Sequence, residues 1–218
     1  MKTFILLENQ PELGLPEGFA GSDVRYPQSL VKLFLNEFTQ PGDTVLDPFA
    51  GYGTTLLAAE AMGRVAYGVE CDERRVSYAR SYLRSPENLI HGDSLSLSSC
   101  RLPPIDFSMT SPPYTTSGDN ENPFTNYTTA GGGYAQYLND IAMVYRQLAA
   151  LMGDGARAVV EAANIKSSSG VTTLAWDIAE AISSILVFEG EVIVGWDHYG
   201  YGYDHSYCLI FRKGAGAP

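Results

Sequence analysis

The sequence predicts an α/β fold in which a mostly parallel sheet of seven strands is covered by helices on both faces. Short apolar runs alternate with longer segments whose apolar residues recur at helical spacing, an alternation typical of parallel sheets. The last two apolar runs follow each other without a helix between them, which indicates an antiparallel closing strand. A chain of 218 residues, 45% of them hydrophobic, is long enough to bury one sizeable core.

Seven short apolar runs are the predicted strands. Each is bounded by glycine, proline or polar residues, which favour turns. In chain order they are Thr44–Leu46, Arg64–Glu70, Asn88–His91, Ile105–Thr110, Ala156–Ala163, Glu191–Trp196 and Tyr207–Arg212.

Five longer segments are predicted helices. Pro27 takes the early position that a helix tolerates, Asp72 is the expected N-cap of the third helix, and Gly153–Gly155 is expected to end the fourth. The segments are Gln28–Phe38, Leu56–Met62, Asp72–Leu83, Tyr134–Leu151 and Thr172–Leu186.

The chain divides into one predicted domain and two flanking segments. Residues 8–24 combine prolines and glycines with acidic side chains, so residues 1–25 are interpreted as an irregular N-terminal arm. Residues 26–213 form the predicted domain, and residues 214–218 a small tail.

The net charge of −11, from 25 acidic and 14 basic side chains, is unfavourable for binding nucleic acid, because Lys and Arg make the phosphate contacts. It does not exclude a basic face on an acidic body. Four arginines share the third predicted helix and are interpreted as a solvated face whose stems cover apolar surface: Arg74, Arg75, Arg80 and Arg84.

Cysteine usage and hydropathy indicate the compartment. The three cysteines have no metal-ligand spacing, so neither a disulfide framework nor a metal site is expected. No apolar run approaches the roughly 20 residues that span a bilayer, and the first residues lack the pattern of a signal peptide. The expectation is a cytoplasmic protein that does not bind membranes.

Two stretches carry the chemistry. Asp47–Thr55 (DPFAGYGTT) lies between a predicted strand and a predicted helix, where glycines let the backbone approach a ligand and the helix start presents unpaired N–H groups. By itself, a glycine turn of this kind is more often purely conformational. Ser111–Tyr114 (SPPY) follows another predicted strand, so it lies at the same carboxyl edge of the sheet, where ligands bind in open α/β folds.

Together these stretches resemble the motifs of the S-adenosylmethionine-dependent amino-methyltransferases, and among them the DNA N4-cytosine and N6-adenine methyltransferases. The resemblance extends from roughly Tyr26 to Arg212 and implies a Rossmann-like class I methyltransferase fold. It implies S-adenosylmethionine as the cofactor. The implied acceptor is an exocyclic amino nitrogen of a nucleobase, in DNA ahead of RNA.

The resemblance assigns roles to residues of both stretches. Ser111, Pro112, Pro113 and Tyr114 are the catalytic candidates. The Ser111 hydroxyl and the Pro112 carbonyl can accept the two N–H groups of the acceptor amine, and Tyr114 can stack on the base. Glu70 is implied to bind the ribose hydroxyls and Asp93 the adenine amino group. The full set of implied cofactor residues is Tyr26, Ser29, Asp47, Pro48, Phe49, Gly51, Gly53, Thr54, Glu70, Cys71, Asp93 and Ser94.

Two loops are further candidates for contact with the substrate. Thr115–Gly133 is long, polar and rich in glycine, which is typical of a lid or a substrate-reading element beside a catalytic motif. Trp196–Tyr207 pairs two Asp–His units among tyrosines and is interpreted as a tyrosine-rich hairpin near the acceptor pocket rather than a metal site. Asp204 and His205 are candidate substrate contacts, and His91 is expected to be structural.

The chain departs from the family in two respects. Many of these DNA methyltransferases place Ser-Pro-Pro-Tyr before the cofactor motif, whereas here it follows. They also carry a separate target-recognition region, for which the long polar loops Thr115–Gly133 and Lys166–Val171 leave no room. These departures keep an RNA or a small amine open as acceptor. A silent cofactor-binding scaffold subunit, a homodimer and a partner subunit also stay open, whereas the missing Gly-x-Gly-x-x-Gly fingerprint disfavours a dinucleotide-dependent oxidoreductase.

Overall fold

The computed structural model describes residues 1–15, 25–119, 123–125, 132–168 and 170–215. The predicted arm and tail therefore lie partly outside the described residues, as does much of the Thr115–Gly133 loop. The strands are β1 (Phe4–Leu7), β2 (Thr44–Asp47), β3 (Val65–Glu70), β4 (Leu89–His91), β5 (Ile105–Thr110), β6 (Met152–Ala162), β7 (Ile165–Ser167), β8 (Gly170–Thr172), β9 (Val187–Trp196) and β10 (His205–Arg212). The helices are α1 (Gln28–Phe38), α2 (Thr54–Ala61), α3 (Glu73–Arg80), α4 (Gly133–Leu151) and α5 (Leu174–Ser183).

Within the part of the chain that the structure describes, eight strands form one sheet in the order β1-β9-β10-β6-β5-β2-β3-β4. β10 runs antiparallel to its neighbours β6 and β9, and the other pairs are parallel. The predicted α/β class, with a mostly parallel sheet and an antiparallel strand, is confirmed. The sheet has one strand more than predicted, because β1 pairs with β9 at the edge, with Phe4 opposite Ile193.

Two further segments differ from the sequence prediction. The fifth strand was predicted to begin at Ala156, but β6 already begins at Met152, which pairs with Ile105. The Gly155 N–H donates to the Lys213 carbonyl at 3.0 Å, so pairing with the strand end overrides the turn preference of glycine. The predicted loop Lys166–Val171 contributes to the two-stranded hairpin β7–β8.

Helices cover both faces of the large sheet, as predicted. Neighbouring strand residues point to opposite faces, so that Val45 packs with α1, α2 and α3 while Leu46 packs with α4 and α5. The Asp72 carboxylate accepts the Arg74 N–H at 2.8 Å, which confirms Asp72 as the N-cap of α3. Within the described residues, no helix combines the length and the hydropathy needed to cross a bilayer.

The direction of the chain across the sheet reverses between β2 and β5. From β2 the chain proceeds outward through β3 and β4, and it then returns to place β5 on the other side of β2. Val45 lies opposite Phe107 and Leu46 opposite Ser108, so the carboxyl ends of the two strands are adjacent. This reversal opens a crevice at the end of the sheet where Asp47 and Ser111 emerge.

Gly68 allows α2 to pack closely on the sheet. A Cβ at this position of β3 would lie 2.9 Å from the Ala50 Cβ and 3.0 Å from the Leu56 side chain. We expect Gly68→Ala to lower the free energy of unfolding by about 1–3 kcal/mol through overpacking. Urea unfolding at equilibrium measures this change. Gly153→Ala is the control, because its Cβ would meet no heavy atom within 4 Å; equal stability of the two variants would contradict the expectation.

Candidate active site

A cavity of about 740 Å³ lies at the reversal point of the sheet. Both sequence stretches contribute to its wall, together with the carboxyl end of β3. The predicted site residues that line it are Tyr26, Asp47, Phe49, Gly51, Thr54, Glu70, Cys71, Asp93, Ser94, Ser111, Pro112, Pro113 and Tyr114. The topology therefore brings thirteen of the predicted residues to one cavity.

Three predicted cofactor residues do not line this cavity. Ser29 is exposed on α1, so no contact supports its assignment. Pro48 supports the loop from behind, where its carbonyl accepts the Ser94 hydroxyl. Gly53 has a positive φ of 83° before α2 and donates its N–H to the Ala50 carbonyl at 2.7 Å, so it shapes the turn.

Asp47 joins the two stretches. Its Oδ1 accepts the Thr110 hydroxyl at 2.6 Å and the Phe49 N–H at 3.0 Å. The side chain is 2% exposed, and this burial raises its pKa from 3.8 to about 6 despite the hydrogen bonds that act in the opposite direction. An acid is thus held at the cavity wall in surroundings that penalise its charge.

Glu70 organises the loop from the end of β3. Its Oε2 accepts the Gly51 N–H at 2.8 Å, and its Oε1 accepts the Asp72 N–H at 2.8 Å. The carboxylate is therefore fixed by the glycine loop on one side and by the start of α3 on the other. Oε1 also accepts the Cys71 thiol at 3.6 Å, whereas Oε2 keeps a lone pair that can accept a hydroxyl.

Asp93 and Arg75 complete this half of the cavity. Asp93 follows β4, and its Oδ1 accepts the Leu95 N–H at 2.9 Å. The solvated-face interpretation is wrong for Arg75, which lines the cavity, lies 3.9 Å from Glu70 Oε1 and packs over the Tyr52 ring at 5.4 Å. The helical pattern of the sequence does not distinguish Arg75 from the other three arginines, because its proximity to Glu70 arises from the tertiary fold.

The other half of the cavity surrounds Tyr114. Its hydroxyl donates to Glu161 Oε2 at 3.0 Å, and the Tyr199 hydroxyl donates to Glu161 Oε1 at 3.0 Å. The Tyr201 ring lies 5.0 Å from the Tyr114 ring, and Trp196 stacks on Tyr199 at 5.8 Å. We call these five residues the tyrosine cluster.

Glu161 was not predicted as a site residue, although one feature of the sequence could have identified it. Glu161 is a charged residue within the apolar run Ala158–Ala163, where a strand of a covered sheet rarely places a carboxylate. A tyrosine-rich hairpin near Ser111–Tyr114 was predicted for Trp196–Tyr207. Its Trp196, Tyr199, Gly200 and Tyr201 do line the cavity.

Asp204 and His205 are not supported as substrate contacts, because neither lines the cavity. His205 Nε2 lies 3.0 Å from the Tyr207 hydroxyl, two residues further along the same face of β10. The hairpin loop is also connected to the start of the chain. Asn9 lines the cavity, and its backbone N–H donates to Asp197 Oδ1 at 2.8 Å.

The loop after Tyr114 is described only in part. Thr115, Thr116, Asp119, Pro123 and Phe124 line the cavity. The Phe124 ring lies 5.6 Å from the Phe49 ring in an edge-to-face arrangement, which connects this loop to the glycine stretch. Residues 120–122 and 126–131 are outside the described residues, so the role as a lid or substrate reader stays a prediction.

Asp47 makes stability depend on pH. Between the unfolded pKa of 3.8 and the folded pKa of about 6, the folded chain binds a proton that the unfolded chain releases, so stability falls as pH rises through this window. Asp47→Asn keeps an acceptor for Thr110 but has no charge. We expect the free energy of unfolding of this variant, relative to wild type, to increase by about 2 kcal/mol between about pH 4 and pH 7.

Urea unfolding across that pH range measures this difference, with the exposed Asp154→Asn as control. A constant offset between wild type and Asp47→Asn at every pH would show that Asp47 titrates as an ordinary carboxyl.

Comparison with known sequences confirms the resemblance over the glycine stretch. Residues 17–81 match the family model described as DNA methylase. Over 68 residues the chain is 37% identical to the type II methyltransferase M.HinfI of Haemophilus influenzae, a match that covers 31% of this chain and 19% of that protein. It is 37% identical over 59 residues to M.BglII of Bacillus subtilis, covering 27% of this chain and 16% of the relative. Each match thus spans less than a fifth of the relative.

Comparison with solved structures covers most of the chain. TrmN from Thermus thermophilus superimposes with a TM-score of 0.63 at 18% identity, over 90% of this chain and 52% of TrmN. SMU.1697c of Streptococcus mutans, solved in complex with SAH, gives 0.54 at 12% identity, over 87% of this chain and 99% of that chain.

The residues present fit S-adenosylmethionine. Glu70 stands at a strand end beside the glycine loop, where an acid can accept ribose hydroxyls. Asp47 provides a negative charge close to the half of the cavity that surrounds Tyr114. The chain therefore has the fold of the S-adenosylmethionine-dependent methyltransferases, and its residues 17–81 match the family model described as DNA methylase.

Proposed function

We propose that this chain is an S-adenosylmethionine-dependent N-methyltransferase that acts on an exocyclic amino nitrogen of a nucleobase in DNA. The observation that carries the proposal is that one cavity is lined by the glycine stretch and by Ser111–Tyr114. The cofactor residues of one half and the acceptor residues of the other thereby face a common space. The DNA methylase match over residues 17–81 supports the choice of acceptor.

The acceptor half has the groups that activate an amine. An exocyclic amino group is a weak nucleophile because its lone pair is delocalised into the ring. The Ser111 hydroxyl and the Pro112 carbonyl can accept its two N–H groups, which favours a pyramidal nitrogen with a directed lone pair. The prolines hold this carbonyl in place because their φ angles are fixed.

S-adenosylmethionine supplies, when bound, an electrophilic methyl group on a positively charged sulfur. The acid of Asp47 favours a positive charge nearby, and Glu70 and Asp93 are placed to bind the nucleoside part. The acceptor nitrogen becomes an acidic ammonium on methylation and can release its proton to water, so no strong base is required at Ser111.

RNA is the second candidate acceptor. One structural neighbour is described as an rRNA methylase, from Streptococcus thermophilus, with a TM-score of 0.53. The net charge of −11 also suits an extruded or single-stranded base better than a long duplex contact.

The role of Glu70 predicts a defect in cofactor binding. In Glu70→Gln, the side-chain NH₂ faces one of the two backbone N–H groups that the wild-type carboxylate accepts. One of these hydrogen bonds is therefore lost. We expect S-adenosylhomocysteine to bind at least about 10-fold more weakly, since hydrogen bonds to a charged group contribute about 1.5–3 kcal/mol. Isothermal titration calorimetry measures the Kd. Glu73→Gln, exposed on α3, is the control, and equal Kd values for the two variants would refute the role of Glu70.

Ser111 is tested by transfer of labelled methyl from S-adenosylmethionine. The acceptors are unmethylated duplex DNA, single-stranded DNA, total RNA and free nucleosides. We expect label on DNA, reduced about 100-fold or more in Ser111→Ala, because an acceptor of the reacting amine is lost. The exposed Ser99→Ala is the control and should retain wild-type activity.

Other patterns of labelling distinguish the alternatives. Label on RNA alone would assign the chain to RNA, and label on nucleosides alone would indicate a small acceptor. Cofactor binding without transfer to any of these acceptors would contradict the proposed activity and favour a silent subunit.

A further inference from the structure

Glu161 is a buried carboxylate at the cavity wall, with 4% of its surface exposed. Each of its oxygens accepts a phenol, Oε2 from Tyr114 and Oε1 from Tyr199, both at 3.0 Å. Within the described residues no Lys, Arg or His forms an ion pair with it. Its charge is therefore stabilised by two tyrosines and not by a cation, which is an unusual way to retain a buried acid.

The two phenols act as donors. Burial, and then the negative charge of Glu161, raise the pKa of both Tyr114 and Tyr199 well above the ordinary value. Both hydroxyls thus keep their protons at physiological pH. The hydrogen bonds to Glu161 persist over that range and fix where each ring can lie.

The rings are also held from the side. Tyr201 packs on Tyr114 at 5.0 Å and on Tyr199 at 5.8 Å between ring centroids. Tyr201 itself has a φ of 64°, a left-handed conformation that is costly for a bulky residue and is retained where the surroundings enforce it. Its carbonyl accepts the Lys166 N–H at 2.8 Å, so the β7–β8 hairpin supports this backbone.

We propose that Glu161 is a positioning residue that anchors Tyr114 and Tyr199 as aromatic walls of the acceptor pocket. The proposal rests on the proposed function, since it assigns to Tyr114 the contact with the acceptor base. Stacking on a base requires that the Tyr114 ring is held at a defined place. The Tyr114 hydroxyl, at the far end of that ring, donates to the fixed carboxylate of Glu161. A phenylalanine at position 114 would keep the ring but lose the anchor.

The competing explanation is a buried polar cluster that serves stability alone. The two explanations separate in the triple variant Glu161→Leu, Tyr114→Phe, Tyr199→Phe. Removing both partners of each hydrogen bond to Glu161 leaves no buried carboxylate or phenol without its partner, so this variant should fold with a Tm close to wild type. A purely stabilising cluster would then be dispensable for activity.

The experiment compares steady-state methylation of unmethylated duplex DNA at saturating cofactor. For the triple variant and for Tyr114→Phe alone, we expect kcat/KM for DNA to fall roughly 10- to 100-fold, because a misplaced contact group disrupts the reactive geometry. The Kd for S-adenosylhomocysteine should stay within about 3-fold of wild type, since Glu161 lies on the acceptor side. Glu161→Gln should retain most of the activity, because its amide oxygen accepts one phenol and its NH₂ donates to the other.

Tyr134→Phe is the matched control. The Tyr134 hydroxyl donates to Asp177 at 2.6 Å, which is again a phenol on a carboxylate, but neither residue lines the cavity. This variant should change Tm without changing kcat/KM.

Wild-type kcat/KM in the folded triple variant would overturn the positioning role while leaving the proposed function intact. A loss in Tyr134→Phe as large as that in Tyr114→Phe would also overturn it, since stability alone would then explain both. Absence of transfer by the wild type to every acceptor tested would remove the proposed function and this role together.

Discussion

The hydrogen bond from Thr110 to Asp47 is the contact on which the rest of the site depends. It joins the carboxyl ends of β5 and β2, at the point where the chain reverses direction across the sheet. Asp47 opens the glycine stretch, and Thr110 immediately precedes Ser111. Together with the pairing of Leu46 and Ser108, this short bond therefore holds the cofactor half beside the acceptor half. Because the Asp47 carboxyl is desolvated by burial, the charge that it carries above pH 6 lowers the stability of the fold.

The two halves of the cavity are stabilised by different chemistry. In the cofactor half, the carboxylates of Glu70 and Asp93 accept backbone N–H groups, so charge is balanced by peptide dipoles. In the acceptor half, the carboxylate of Glu161 accepts phenols, and the surrounding surface is aromatic. Backbone donors and aromatic rings thus surround these carboxylates, and Arg75 adds a cation 3.9 Å from Glu70 Oε1, in a chain whose acidic side chains exceed its basic ones by 11.

The sequence predicted the residues at the carboxyl ends of buried strands, because parallel topology alone sends those positions to one edge. Asp47, Glu70 and Ser111 belong to this class. Glu161 and Tyr199 lie 47 and 85 residues from Tyr114, so only tertiary packing joins them to it. Strand β1 was missed because four residues show too little alternation to distinguish a strand from an arm, and the β7–β8 hairpin because its polar residues follow no apolar period.

The pairing of β1 with β9 has a consequence for the order of folding. Residues 4–7 are synthesised before the rest of the sheet, yet their parallel partners are residues 193–196. The edge strand must therefore wait for nearly all of the described chain to leave the ribosome, and its contact closes a very long loop. Asn9, which follows β1 and lines the cavity, reaches Asp197 only after that closure. The wall of the ligand cavity is consequently completed late, by residues that are synthesised before the rest of the sheet.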